Sequence, residues 1–106
     1  MICRIWRGWT TFENADEYQR ILQTIVMPGI VERNIDGLQR FELMRRELED
    51  EIEFCTIMWF DSEDAVKRFV GEDYTIAHVP DVARAVLKRF DERSVHYNVY
   101  ETTNLV

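Results

Sequence analysis

The sequence predicts a single α+β domain whose elements follow in the order β-α-β-β-α-α-β. Three observations lead to this prediction. The run Ile52–Phe60 is apolar or β-favouring on both faces and has no Gly or Pro, which is typical of a buried central strand. Apolar residues between positions 18 and 26 recur at helical spacing. The chain has 106 residues, 46% of them hydrophobic, which suffices for one core but not for two.

The first half of the chain predicts a strand, a helix and a second strand. Met1–Thr10 is short and rich in β-branched and aromatic residues, so it is assigned to the first strand. A helix follows Asn14, which together with Glu17 resembles a capping box. Pro28 is expected to kink or break this helix because it has no N–H to donate. Gly37–Arg46 alternates imperfectly and carries four charges, which favours a strand near a sheet edge.

The second half predicts two helices and the last strand. Ser62 follows the central strand directly and offers a side-chain acceptor for the N-terminus of a helix, which Gly71 ends. Pro80 suits the first position of a short third helix, whose inward stripe reaches Phe90. Ser94–Glu101 then alternates as the fourth strand.

This order of elements is that of a split βαβ unit, and it predicts a ferredoxin-like sandwich with a four-stranded antiparallel sheet. Residues 1–101 are expected to form the domain and residues 102–106 a C-terminal tail. Three of the strands carry bulky residues on both faces, so the face without helices needs a cover. A second copy of the chain, related by two-fold symmetry, is the economical cover, and we expect a homodimer.

Composition argues against several classes of partner and cofactor. The net charge is −7, with 20 acidic against 13 basic residues, which disfavours binding to nucleic acid or to an anionic membrane. No signal-peptide pattern and no 18-residue apolar stretch occurs, so we expect a cytoplasmic protein without a membrane segment. Cys3 and Cys55 have no CxxC spacing and are expected to be reduced thiols. No phosphate loop, nucleophile triad or metal signature is found, so neither a metal nor an organic cofactor is expected.

Three stretches resemble the antibiotic-biosynthesis-monooxygenase-like family of dimeric α/β-barrel proteins, namely Ile2–Gly8, Trp59–Ala65 and Val95–Tyr100. The resemblance covers nearly the whole chain. It implies two sheets packed face to face across a dimer and, in each subunit, a pocket between sheet and helices. Some members oxygenate polyphenolic or anthrone-type substrates with molecular oxygen and no cofactor, because the deprotonated substrate itself supplies the electrons.

Other members of this family degrade haem, with a His after the second helix, a Trp on that helix and an Asn on the first strand. His78 lies near the position of the haem ligand, but Phe69 replaces the Trp and Trp6 replaces the Asn. The resemblance therefore argues against haem oxygenation. It implies a homodimeric, cofactor-independent monooxygenase that acts on a small aromatic molecule of quinol or polyphenol type. The alternative is a noncatalytic, small-ligand-binding or stress-associated barrel.

Two histidines are the candidates for a catalytic base. Imidazole is the side chain most easily tuned to accept a proton near neutral pH, so either could deprotonate a phenol. His96 lies in the fourth strand, and the alternative is a hydrogen bond to Arg4 or to a carboxylate. His78 lies in an irregular segment, and the alternative is an exposed loop histidine.

The candidate ligand-binding residues are mostly aromatic. Aromatic side chains on strands either fill the core or line a ligand site. Arg4 is predicted on a strand covered on both sides and needs an acceptor, either a structural acid such as Glu42 or Glu53 or an anionic ligand. The residues assigned to the ligand site are Arg4, Trp6, Trp59, Phe69, Tyr74 and Asn98.

Overall fold

The computed structural model describes residues 1–106 and has the predicted order of strands and helices, with one additional short strand before the last. The sheet order is β2-β3-β1, and β4 and β5 both pair with the outer edge of β1. All of these pairings are antiparallel. The α+β, ferredoxin-like fold class is thereby confirmed. The elements are β1 (Ile2–Thr10), α1 (Ala15–Ile21), a π-helical stretch (Leu22–Val26), α2 (Met27–Glu32), β2 (Leu38–Glu47), β3 (Ile52–Phe60), α3 (Glu63–Val70), α4 (Asp81–Arg84), β4 (Arg89–Phe90) and β5 (Val95–Asn98).

The core lies between the sheet and the helices. β1 and β3 pair without a bulge, with Cys3 opposite Trp59. Because side chains alternate along a strand, the even-numbered residues of β1 and β3 point toward the helices and the odd-numbered ones point away. Phe54 and Phe60 are completely buried under the helices, and the ring of Tyr18 packs edge-on against Phe54 with 4.7 Å between centroids.

The first helix differs from its prediction at both ends. Asn14 has helical backbone angles, φ −93° and ψ −6°, and its side chain makes no capping hydrogen bond, so the predicted capping box is absent. Of the predicted kink or break at Pro28, the break does not occur, because the chain continues as helix to Glu32. The wider π-helical stretch lies directly before α2, and Pro28 falls in the first turn of α2, where a missing N–H is tolerated.

The chain after β3 begins as predicted and then departs from the prediction. The hydroxyl of Ser62 accepts a hydrogen bond from the N–H of Ala65 at 3.2 Å and caps α3. The third helix is wrong in length, since α4 is a single turn and Phe90 belongs to β4. The N–H of Lys88 donates to the carbonyl of Trp9 at 2.8 Å, so the residues after α4 pair with β1 and do not continue the helix. The predicted fourth strand, Ser94–Glu101, is shorter in the structure, where β5 covers Val95–Asn98, and β4 is an additional short strand that the sequence pattern does not predict.

The sheet face opposite the helices has no cover within one chain. Ile57 and Trp59 lie on this face, together with Val95 and Tyr97, which are 52% and 60% exposed. The indole of Trp59 donates to the carboxylate of Glu42 at 2.9 Å. No helix combines the length and the apolar character that crossing a bilayer requires.

Candidate ligand site between sheet and helices

A partly enclosed cavity lies between the sheet and the helices. Its volume is about 40 Å³, which is room for about three water molecules. Ten of its fifteen lining residues are hydrophobic, and they come from all three layers of the wall: the sheet, the helices and the irregular segment between α3 and α4. The side chains with polar groups among the other five are Arg4, Thr56, His78 and Ser94.

Arg4 is a buried cation on the helix-facing side of β1. It is 3% exposed, and its hydrogen bonds go to neutral groups. Nη1 donates to the carbonyl of Tyr74 and to Nε2 of His96, the latter at 3.0 Å, and Nη2 donates to the carbonyl of Ile76 at 2.8 Å. Burial lowers the pKa of Arg4 to about 10, so the guanidinium is charged at neutral pH. The side chain therefore ties β1 to the irregular segment that closes the cavity.

Of the two kinds of acceptor expected for Arg4, the structural acids Glu42 and Glu53 lie elsewhere and are not its partners. Glu42 accepts from Trp59, and Glu53 pairs with Arg46 at 3.0 Å. Both carboxylates lie on the uncovered face of the sheet, whereas Arg4 points to the helices. Side chains alternate between the two faces along a strand, and the odd-numbered residues of β3 point to the uncovered face. Glu53 is one of them, and Glu42 lies opposite another, Ile57, in the neighbouring strand.

His96 is a hydrogen-bond partner of Arg4 and does not line the cavity. A guanidinium can only donate, so Nε2 of His96 accepts and the neutral ring carries its proton on Nδ1. Burial, and then the charge of Arg4, lowers the pKa of His96 to about 4. Tyr74 packs edge-on against the ring with 5.1 Å between centroids. The imidazole thus supports the position of Arg4.

The lowered pKa of His96 predicts a loss of stability in acid. Between its folded value of about 4 and its unfolded value of 6.5, the unfolded state binds more protons. The free energy of unfolding should therefore be undiminished above about pH 6.5 and fall toward pH 4 by about 2 kcal/mol, after allowance for partial exposure. Urea unfolding of wild type and His96→Gln measures this, because glutamine still offers Arg4 an acceptor but does not titrate. Equal acid losses in both proteins would contradict the assignment.

His78 lies at the mouth of the cavity, in the irregular segment before Pro80. It is exposed to solvent, as the alternative of an exposed loop histidine predicts, and its ring packs beside Phe69 with 5.0 Å between centroids. Burial, followed by the charges of Arg33 and Arg4, lowers the pKa of His78. The imidazole is therefore unprotonated at neutral pH and able to accept a proton.

The other candidate ligand-binding residues divide into two groups. Trp6 and Phe69 line the cavity, and the indole of Trp6 is held by a 2.7 Å hydrogen bond to the carbonyl of Asp91. Tyr74, Trp59 and Asn98 do not line it. The carbonyl of Tyr74 accepts from Arg4, and the ring of Tyr74 packs against His96. Trp59 is on the opposite face of the sheet, and Asn98 is exposed at the end of β5.

Ser94 is a cavity residue that the sequence analysis missed. It is 6% exposed, and its Oγ has no hydrogen-bond partner. A single serine next to a strand has no distinctive pattern. The one available signal is its alternation with His96, which places both residues on the same face as Arg4. No group of three or more His, Cys, Asp or Glu side chains is arranged to hold a metal ion.

Comparison with solved structures identifies the fold. A Bacillus cereus protein assigned to the antibiotic biosynthesis monooxygenases matches with a TM-score of 0.66 over 98% of this chain and 97% of that chain, at 12% identity. SnoaB, a cofactor-independent oxygenase from Streptomyces nogalater, matches with a TM-score of 0.60 over 95% of each chain, at 15% identity. No family model matches the chain, and no curated protein matches it in sequence. The chain therefore has the fold of the antibiotic biosynthesis monooxygenases, as the resemblance predicted.

Proposed function

We propose that this protein is a homodimeric, cofactor-independent monooxygenase for a small aromatic molecule of quinol or polyphenol type. The observation that carries the proposal is the cavity, which brings the unprotonated imidazole of His78 together with the aromatic walls of Trp6 and Phe69. The fold that the chain shares with SnoaB, itself a cofactor-independent oxygenase, supports the same function.

The chemistry needs a base and a site that excludes water. His78 takes the acidic proton of the substrate, and the resulting electron-rich anion reacts with molecular oxygen. With an anthrone, one oxygen atom replaces the two hydrogens of the ring methylene, and the other leaves as water. The substrate supplies all four electrons, so the balance requires no external reductant. The apolar lining keeps bulk water away from the reactive anion.

Entry of such a substrate requires the wall of the cavity to move. The volume of about 40 Å³ is far below the roughly 300–1,000 Å³ that is common for ligand sites. The irregular segment between α3 and α4 is the wall with the least regular structure, and Arg4 holds it at the carbonyls of Tyr74 and Ile76. We expect this segment to be displaced when the aromatic ring binds.

Oxygen uptake tests the monooxygenase proposal. Purified protein is mixed with a panel of hydroquinones and anthrones in an oxygen-electrode cell, with heat-denatured protein as the blank. The expected result is uptake above the uncatalysed rate that saturates with at least one substrate and persists after treatment with a chelator. Uptake at the blank rate with every substrate, from protein that is folded, would reject the proposal.

A noncatalytic ligand-binding barrel is the second candidate function. The observation that favours it is the small volume of the cavity, about 40 Å³, which is too small for a bicyclic aromatic molecule. This candidate predicts saturable binding of an aromatic ligand with no oxygen uptake. Measuring both ligand binding and oxygen uptake therefore distinguishes the monooxygenase from the noncatalytic binding protein.

The dimer is proposed to form through the uncovered sheet face. The supporting observation is that Val95 and Tyr97 are large apolar side chains exposed on that face. Monomeric proteins rarely expose large apolar patches. Sedimentation should give twice the chain mass of 12.8 kDa. Ile57→Lys should weaken dimerisation about 100-fold or more, because two-fold symmetry buries the new charge twice.

The matched control for the dimer is Val31→Lys. Val31 is 69% exposed on α2, on the other side of the molecule from the uncovered face. The same charge placed there should leave the dimer intact. A wild-type mass of one chain in dilute solution would contradict the proposed interface.

A further inference from the structure

The guanidinium of Arg4 has two N–H groups without an acceptor in the protein. An arginine side chain offers five N–H donors. Nη1 uses both of its own, and Nη2 uses one, so the N–H of Nε and one N–H of Nη2 are left over. A buried cation that faces no carboxylate and has unfilled donors is unfavourable unless another acceptor is present. Because Arg4 lines the cavity, that acceptor is either water in the cavity or an oxygen of a bound molecule that replaces this water.

The hydroxyl of Ser94 is an independent second observation at the same place. The residue is 6% exposed, lines the cavity and has an Oγ atom with no hydrogen-bond partner. Thr10 has the other buried hydroxyl without a partner, but it does not line the cavity. Arg4 and Ser94 therefore line the same cavity, and none of the side chains that line it is acidic.

We propose that the cavity binds an anionic oxygen group of its ligand, either a carboxylate or a phenolate oxygen, through Arg4 and Ser94. The inference rests on the proposed function and gives its substrate class, an aromatic molecule with an acidic oxygen. A volume of about 40 Å³ is room for the three heavy atoms of a carboxylate. Phe69 lies beside both polar groups, with its ring centroid 5.5 Å from the guanidinium carbon of Arg4 and 5.0 Å from the ring of His78, so the ring attached to the anion packs against Phe69.

Calorimetric titration with pairs of charged and neutral probes tests the anion site. Benzoate is compared with benzamide, which has the same size without the charge, and 4-nitrophenolate is compared with nitrobenzene. Charge-assisted hydrogen bonds from a buried guanidinium should make the anion of a pair bind about tenfold tighter or more. A preference for benzoate assigns the site to carboxylates, and a preference for 4-nitrophenolate assigns it to phenolates. Equal affinities within both pairs, or no heat at millimolar concentrations, would overturn the proposal.

Three variants locate the anion within the protein. Ser94→Ala should weaken binding of the preferred anion about fivefold or more and leave its neutral counterpart unchanged. Thr10→Val is the matched control, because it also removes a buried hydroxyl without a partner but lies outside the cavity. Arg4→Gln should abolish the preference for anions in protein whose circular dichroism is native. Equal anion binding by Ser94→Ala and Thr10→Val would overturn the proposed site. This comparison decides the question even if Arg4→Gln does not fold.

The anion site and the oxygenase can fail separately. Preferential binding of an anion without oxygen uptake supports the site and rejects the monooxygenase function. Oxygen uptake without any preference for an anion rejects the site and leaves the monooxygenase function standing.

Discussion

Replacing Gly37 with alanine is expected to lower the free energy of unfolding by about 3 kcal/mol. Gly37 has a φ angle of +95°, which side-chain-bearing residues rarely adopt. A Cβ atom there would lie 2.5 Å from Oδ1 of Asp61 and 2.6 Å from Cβ of Ala65. The carbonyl of Gly37 also accepts from the N–H of Asp61 at 2.9 Å. The turn before β2 therefore packs tightly against the junction of β3 and α3. Any shift that relieves the clash strains the hydrogen bond between Gly37 and Asp61.

Gly29→Ala is the control with the opposite sign. Gly29 lies inside α2 with ordinary helical geometry, and a Cβ atom there would meet nothing within 4 Å. The substitution should raise the free energy of unfolding by about 0.5–1 kcal/mol, because alanine loses less conformational entropy in a helix. Urea unfolding of the three proteins measures both changes. A Gly37→Ala protein as stable as wild type would contradict the geometry of this turn.

The elements that could be predicted from the sequence are those whose pattern is local. The sequence predicts Ile52–Phe60 with the observed bounds, because a run that is mostly apolar and β-favouring, without Gly or Pro, stands between polar residues. The cap at Ser62 was predicted for the same reason, since a short polar side chain and the acidic first turn adjoin the strand. The register of β1 against β3 then places Arg4 and Trp6 on the helix-facing side.

The features that could not be predicted depend on partners far away in the chain. The helix after Pro80 ends early because the free edge of β1 offers hydrogen-bond partners to Lys88, and no local pattern records this competition. The face of Trp59 follows from strand alternation, but which face the helices cover follows only from the three-dimensional packing. Ser94 belongs to the candidate site through its burial and its missing partner, and neither property has a sequence pattern.

His78→Ala is expected to reduce substrate-dependent oxygen uptake about 100-fold or more. His78 is the imidazole that lines the cavity, and its lowered pKa keeps it unprotonated at neutral pH. Alanine removes the proton acceptor but leaves the walls formed by Trp6 and Phe69, so binding of the substrate should change much less than its turnover. A KM within a few-fold of wild type together with the lower kcat would be the signature of a lost base.

The other candidate base, His96, provides the comparison that decides between the two histidines. His96 is held in its acceptor form by Arg4 and does not line the cavity, so His96→Gln should reduce uptake much less than His78→Ala.

The pH profile of oxygen uptake is a second readout. Because burial lowers the pKa of His78, wild-type uptake should persist somewhat below pH 6.5, its ordinary value, and fall only in more acidic solution, where the ring becomes protonated. Undiminished uptake by His78→Ala would remove His78 as the base, and a larger loss in His96→Gln would transfer that role to His96.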